Sequence, residues 1–271
     1  MSPKYDYHYK TVFISDVHLG SRHCKAEQLL AFLKRLRCEQ LFLVGDIVDV
    51  WAMHKRVHWP QSHNNVLRKI LSMAKKGVKV TYIPGNHDAN FREFCGAEFG
   101  LIHIAHEVRF ETEAGKTLLI MHGDELDFAV RYSRMNRWVG DIAYDGLMAV
   151  NRWVNLIRGR LGLPYWSLAK WVKTNVAQAD AAIKAYQRAG FEHAKRQGVD
   201  GLICGHLHYP SMLHQDDVTY YNDGDWVENC TALVQDFDGE FHLLHLAFAA
   251  ELHGGDVERR SQSPVTVGSQ V

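Results

Sequence analysis

Short apolar runs alternate with amphipathic stretches along the first third of the chain, and each apolar run stops at a polar cluster. Thr11-Val12-Phe13-Ile14 predicts a strand. Leu29, Phe32, Leu33 and Leu36 follow at i, i+3, i+4 and i+7, the spacing of a helix with one buried face. Leu41 to Val44 predicts a second strand. Val66, Ile70, Met73 and Ala74 mark a second helix, ended by Lys75-Lys76-Gly77. Val78 to Ile83 predicts a third strand, stopped by Pro84-Gly85. A β-α-β-α-β order predicts a parallel sheet with right-handed crossovers. Val108 to Thr112 and Thr117 to Met121 read as a hairpin around Glu113 to Lys116. From about Leu126 to Arg196 the periodicity is helical, interrupted at Gly159 to Pro164. Leu202-Ile203-Cys204 returns to strand. Thr219 to Tyr221, Ala232 to Phe237 and Phe241 to Leu246 then predict antiparallel strands, the last two turning at Asp238-Gly239.

The expected organisation is therefore a sheet-based domain over residues 1–250, with a helical insertion at about 126–197 and a patternless tail at 251–271 that is expected to be disordered. An insertion of that length between strands is seldom an idle loop.

Five polar clusters close five of the apolar runs. They are Asp16-Val17-His18, Gly45-Asp46, Gly85-Asn86-His87-Asp88, Met121-His122-Gly123-Asp124 and Gly205-His206-Leu207-His208. Buried strand ends carrying Asp, Asn and His are costly unless something binds those side chains. In open α/β sheets ligands collect beyond the carboxyl ends of the strands, so all five clusters can converge. Their donors are carboxylate, amide oxygen and imidazole, which suit Mn, Fe, Zn or Co better than the soft metals that thiolate sites hold. Asp16 and His18, like His206 and His208, stand at i and i+2 and share a face of an extended segment. Seven donors are too many for one ion with an open position and suit two, with Asp46 as the carboxylate to bridge them. Two cations about 3.5–4 Å apart clamp the attacking and leaving oxygens of a phosphoryl displacement and lower the pKa of bound water. Asp124 reads as a support for the loop of His122. His8, His23, His54, His58, His63 and His214 fall outside the clusters and read as surface or local contacts.

In this order the motifs D-x-H, G-D, G-N-H-D, H-G-D and G-H-x-H resemble those of the calcineurin-like metallophosphoesterases. The resemblance runs from Asp16 to His208, most of the chain. It implies a four-layer α/β/β/α sandwich. It also implies one metal on Asp16, His18, Asp46 and His208 and a second on Asp46, Asn86, His122 and His206. His87 would act on the phosphate as a proton or hydrogen-bond donor, with Asp88 orienting it. Manganese is expected ahead of iron or zinc.

Composition narrows the surroundings. The 271 residues are 46% hydrophobic and 23% charged with zero formal net charge, so no bulk field recruits nucleic acid. Five scattered cysteines without a C-x-x-C suit a reducing cytosol. Met1 to Lys10 is polar and unlike a signal peptide, and no run of about 18 apolar residues is present. Within the neutral chain, Arg131 to Lys173 carries eight Lys or Arg against Asp141 and Asp145, together with Trp138, Trp153, Trp166 and Trp171. Basic and aromatic residues on helices suit a membrane surface or an anionic amphiphile, so a cytoplasmic protein peripheral to the inner membrane is expected.

That insertion, with Ser15 to Leu19, Gly45 to Asp49 followed by Trp51, and Gly224-Asp225-Trp226, resembles the bacterial UDP-2,3-diacylglucosamine pyrophosphatases of lipid A synthesis. The resemblance implies a helical lid for acyl chains, a nucleotide-lipid substrate, and UMP and lipid X as products. Lys173 and Asn175 lie where such a lid would supply substrate contacts. Two departures stand out. His87 occupies a position where arginine contacts substrate phosphate in that group, and Leu207 and Tyr209 replace an expected Thr and Arg. Exchanging Arg for His trades a permanent bidentate charge for a titratable donor, so another phosphoester substrate is the rival expectation.

Overall fold

The computed structural model describes residues 6–128, 155, 157–158, 160, 177–246 and 265–266. The chain divides into two compact units, Met1–Asp124 with Gly190–Val271, and Glu125–Ala189.

The larger unit holds two main sheets. The first contains β2 (Thr11–Ile14), β4 (Gln40–Val44), β5 (Lys79–Ile83), β6 (Glu98–Phe99), β7 (Ile102–Ile104), β13 (Thr231–Gln235) and β14 (Phe241–His245), in the order β14-β13-β2-β4-β5-β7-β6. β2, β4, β5 and β7 run parallel, and antiparallel neighbours close both edges. The second contains β8 (Val108–Glu111), β9 (Thr117–Ile120), β10 (Gly201–Cys204), β11 (Ser211–Gln215), β12 (Val218–Asn222) and β15 (Val265–Thr266), in the order β15-β11-β12-β10-β9-β8. A short parallel pair, β1 (Tyr7–His8) and β3 (Leu36–Arg37), stands apart from both.

Side-chain alternation along the strands explains the layering. Val12, Ile14, Leu41, Leu43, Val80 and Tyr82 face a core shared with α1 (Ala26–Arg35) and α3 (Gln61–Lys75). Phe13, Phe42, Val44 and Ile83 point the opposite way and meet Phe110, Leu118, Ile120, Ile203 and Tyr221 of the second sheet. Phe13 stacks on Phe42 at 5.1 Å and meets Phe110 edge-on at 5.9 Å, so aromatic rings fill the space between the sheets. Strands apolar on both faces are what a sheet covered on both sides requires. On the outer face of the second sheet, Tyr220 packs against Phe191 near the end of α4 (Ala177–Gln197). A Cβ on Gly190 would press on the same tyrosine ring, so glycine lets the helix approach. The layers are thus helix, sheet, sheet, helix.

Several elements differ from the sequence expectation. The strand expected at Thr219–Tyr221 is antiparallel only to β11 and runs parallel to β10. β11 went unforeseen because, of its five residues, only Met212 is fully buried, and the apolar alternation is weak. The last turns of α4 belong to the larger unit. Within the tail, Val265–Thr266 pairs with Leu213–His214, and the remainder lies outside the described residues. Nearly all of the basic, tryptophan-rich stretch also lies outside them, as do Lys173 and Asn175. Among the described residues no helix is long and apolar enough to cross a membrane.

His63 belongs to the fold rather than to a site. It is buried in α3 and its Nδ1 accepts a hydrogen bond from Gly20 N at 3.0 Å. Burial, helped by His58, pushes its pKa down to about 4. The unfolded chain therefore binds this proton first, and the native state loses stability as pH falls from about 6.5 towards 4. Between pH 7 and pH 5 this group alone should remove about 2 kcal/mol. Urea unfolding of wild type and His63→Gln at both pH values measures it. An equal acid loss in the two proteins would refute the assignment.

Candidate metal centre

All five clusters sit just beyond the carboxyl ends of parallel strands, namely β2, β4, β5, β9 and β10. Parallel pairing forces the convergence, because it puts the same end of each strand at one edge of its sheet.

Asp16, His18 and His208 form one group, and Asp46, His122 and His206 another, each with ligand atoms within 4.8 Å of one another. In the first, His208 Nε2 lies 2.9 Å and His18 Nε2 3.8 Å from Asp16 Oδ1. In the second, His122 Nε2 lies 3.4 Å from Asp46 Oδ2 and 3.3 Å from Asn86 Oδ1. Asp46 Oδ2 is also 3.9 Å from His18 Nε2, so one carboxylate oxygen faces both groups. Its other oxygen accepts the His87 N–H at 2.8 Å. His122 Nδ1 donates to Val44 O at 2.9 Å, which leaves Nε2 as the ring nitrogen that faces Asp46.

The backbone is strained at these donors. Seven described non-glycine residues have positive φ, and five of them are Asp16, His18, Asp46, His206 and His208, at 49° to 63°. Such conformations cost of order 1–3 kcal/mol each and persist only where the surroundings enforce them. Glycine supplies the clearance. A Cβ on Gly85 would overlap Asp46 Oδ1 and the His122 ring, and one on Gly205 would overlap Asp16 and Ser15.

Electrostatics supply the test for a cation. Asp16 and Asp46 are 0% and 1% exposed, yet two carboxylates meet there. Burial alone would push their pKa values up, but His208 and His18 hold Asp16 well below the usual range, and His122 does the same for Asp46. Burial likewise opposes a charge on His122, and Asp46 overcomes it to raise His122 to about 10. The protons are therefore acting as counter-ions for buried carboxylates. Asp16 Oδ1 and His18 Nε2 are both fully enclosed; His18 Nε2 makes no hydrogen bond, and Asp16 Oδ1 meets only the His208 and His18 imidazoles. Buried polar atoms left this way call for a partner, and oxygen and nitrogen donors with two carboxylates fit divalent cations. Imidazoles must shed their protons to ligate, so cation binding here releases protons.

Asp88 does not orient His87. Its carboxylate accepts hydrogen bonds from Gly85 N (2.6 Å), Ile47 N (2.8 Å), Asp46 N and Val48 N (both 3.3 Å), and Tyr82 Oη (2.5 Å). It ties the loop after β4 to the loop after β5, and so fixes Asp46. His87 Nδ1 instead meets Asp49 Oδ1 at 3.0 Å, while Asp49 Oδ2 meets His18 Nδ1 at 3.1 Å. Burial works against ionisation of Asp49, but the hydrogen bonds from His18 and His87 win and lower its pKa. Asp49 also accepts the Ala52 N–H at 2.8 Å and caps α2 (Val50–Lys55). The His87 ring is further framed by His18, edge-on at 4.7 Å, and by Trp51 at 4.6 Å. Asp124 ion-pairs with Arg92 at 2.7 Å and braces the His122 loop against the segment after β5.

Two supports stand in motifs to which the sequence alone gave no role. Asp49 carried a signal, since it stands three residues after Asp46 in the same polar loop. The other is a sixth polar strand end, Asn222-Asp223-Gly224-Asp225 after β12. Asp223 accepts Ser15 Oγ at 2.6 Å behind Asp16. Asp225 holds Asn229 Nδ2 at 2.5 Å, which also reaches His208 O at 3.0 Å.

Layers, strand-end ligands and paired clusters define a metallophosphoesterase, and residues 9–210 match the family model for calcineurin-like phosphoesterases. The chain belongs to that family, and it is a metal-dependent phosphoester hydrolase. The family fold implies divalent ions, with the two clusters as candidate ligand sets. Among curated relatives, the UDP-2,3-diacylglucosamine hydrolase of Porphyromonas gingivalis is 32% identical over 256 residues, covering 84% of this chain and 94% of its own. That of Neisseria gonorrhoeae is 30% identical over 242 residues, with the same shares covered. That of Haemophilus influenzae is 26% identical over 246 residues, covering 86% and 97%.

Proposed function

We propose that the chain hydrolyses the pyrophosphate of UDP-2,3-diacylglucosamine to UMP and lipid X, in lipid A synthesis. The observation that carries the reading is the convergence of two ligand groups on Asp46 Oδ2, in a chain that spans nearly the whole length of hydrolases named for that substrate. Asp16, His18, Asp46 and His208 would hold one cation, and Asp46, Asn86, His122 and His206 the other. Mn2+ is placed ahead of Fe2+ or Zn2+, since carboxylate and amide oxygens stand beside the imidazoles. When bound, the cations supply Lewis acidity to the phosphoryl oxygens and lower the pKa of water in the site.

The chain's own residues position and protonate. Asp49, kept ionised, accepts Nδ1–H from both His18 and His87. His18 is thereby held in the tautomer that offers Nε2 to a cation. His87 is held with Nε2 on the far side of the ring, as the atom from which a proton passes to the leaving oxygen. Lys173 and Asn175 remain proposed substrate contacts, and the basic, tryptophan-rich segment a proposed contact with the cytoplasmic face of the inner membrane.

His87 in place of arginine favours a second reading, in which the same chemistry serves another phosphodiester, such as a cyclic nucleotide, nucleotide sugar or phospholipid. One assay separates the two. The Mn2+-loaded protein is given UDP-2,3-diacylglucosamine, and bis-p-nitrophenyl phosphate reports a competent centre. Rapid UMP release is expected. Cleavage of the diester without UMP release would overturn the lipid substrate and leave the second reading.

A further inference from the structure

A cavity of about 840 Å³ lies at the amino ends of β4 and β5, at the opposite end of these strands from the candidate metal centre. Its volume is that of a small-molecule site. Arg37, Lys69, Lys76 and Lys79 line it, with Glu39 as the single acid among the lining residues. Arg37 belongs to β3, Lys69 to α3, Lys76 to the end of that helix and Lys79 to β5.

A helix C-terminus attracts cations, and that accounts for Lys76. It does not account for Arg37 or Lys79, which arrive from separate strands. Among the described residues no carboxylate pairs with Arg37, Lys76 or Lys79. Convergent like charges repel, and Glu39 is the one acid of the lining that can offset them. The remaining lining suits a ligand that is more than an inorganic ion. Leu36 and Met73 form a buried apolar floor. At the lip, His8 and Phe237 pack edge-to-face at 4.8 Å, and Phe237 stays 45% exposed.

We propose that this cleft is a second binding site, for a phosphate-bearing small molecule, with phosphate among Arg37, Lys76 and Lys79 and the apolar or planar part against Leu36, Met73 and the His8–Phe237 pair. The site is independent of the lipid substrate proposed above, because none of these residues touches the metal ligands. The phosphate can come from a free nucleotide or from a lipid headgroup.

The test uses the Mn2+-loaded protein and the Arg37→Gln/Lys79→Gln variant, which neutralises charge without reversing it. Hydrolysis of bis-p-nitrophenyl phosphate should be equal in both, which certifies the fold and the metal centre. Equilibrium dialysis against UMP should show one more class of site in wild type than in the variant, or a loss of at least about tenfold in its affinity. Flotation with phosphatidylglycerol–phosphatidylcholine vesicles is the second arm. Vesicle binding that the variant loses, with UMP binding unchanged, would assign the phosphate to a lipid headgroup. Equal UMP isotherms together with equal vesicle binding would overturn the proposal, whatever the chain's natural substrate proves to be.

Discussion

Asp46→Asn should lower kcat for any phosphodiester by about 10³-fold or more, and metal content should fall from two ions per chain to one or none. Asp46 is the residue whose Oδ2 faces both donor groups, at 3.4 Å from His122 Nε2 and 3.9 Å from His18 Nε2. An asparagine there keeps the volume but loses the charge. Whichever way its amide turns, it can offer only one oxygen. If the oxygen stays towards the histidines, the NH2 meets the His87 N–H that Asp46 Oδ1 now accepts. If it flips, the NH2 points at both groups. Neither rotamer serves two cations and the His87 backbone together. Metal analysis by mass spectrometry and the rate with bis-p-nitrophenyl phosphate decide it. Two bound ions with full activity would refute the bridging role.

The same substitution tests the electrostatic account in the metal-free protein. Asp46 raises His122 to about 10 against the pull of burial, so removing its charge should bring the His122 pKa down. Imidazole resonances followed by NMR would show that fall even if catalysis were lost for another reason. An unmoved His122 would mean that Asp46 does not set its charge.

The strands and their polar ends were legible because both signals are local. An apolar run of four or five residues that stops at Asp, Asn or His needs no knowledge of its neighbours, and parallel pairing follows from the alternation with helices. Partners across loops were not legible. Asp88 is adjacent to His87 in sequence, yet it turns away to collect the amides of the loop after β4. Asp49, 38 residues away in sequence, reaches His87 because α2 starts there and Val50 N also binds His87 O at 3.2 Å. Sequence adjacency was the wrong guide for a contact set by two converging loops. Strands of two or three residues, such as β6 and β7, carry too few positions to show a period. The sixth polar strand end had no role legible in sequence because its residues support ligands instead of being ligands.

His87→Gln should reduce kcat by about 10²–10³-fold for substrates with poor leaving groups, and far less for p-nitrophenyl esters, whose leaving group needs no proton. The expectation follows from the way His87 is held. Its Nδ1 is on Asp49, its ring lies between His18 and Trp51, and its backbone N–H is on Asp46, so the ring has one orientation and, among the described residues, one nitrogen without a partner. Asp49→Asn tests the same arrangement from the other side. Asparagine has one acceptor oxygen where Asp49 uses two, so it can keep His18 or His87 in place, but not both. If His87 is released, Asp49→Asn should flatten the leaving-group dependence as His87→Gln does, and the double variant should be little worse than either single one. If His18 is released, metal content should fall while the leaving-group dependence survives. These outcomes separate a carboxylate that acts through the proton donor from one that acts through a metal ligand. Full additivity of the two substitutions, with two ions bound and an unchanged leaving-group dependence, would mean that Asp49 merely caps α2.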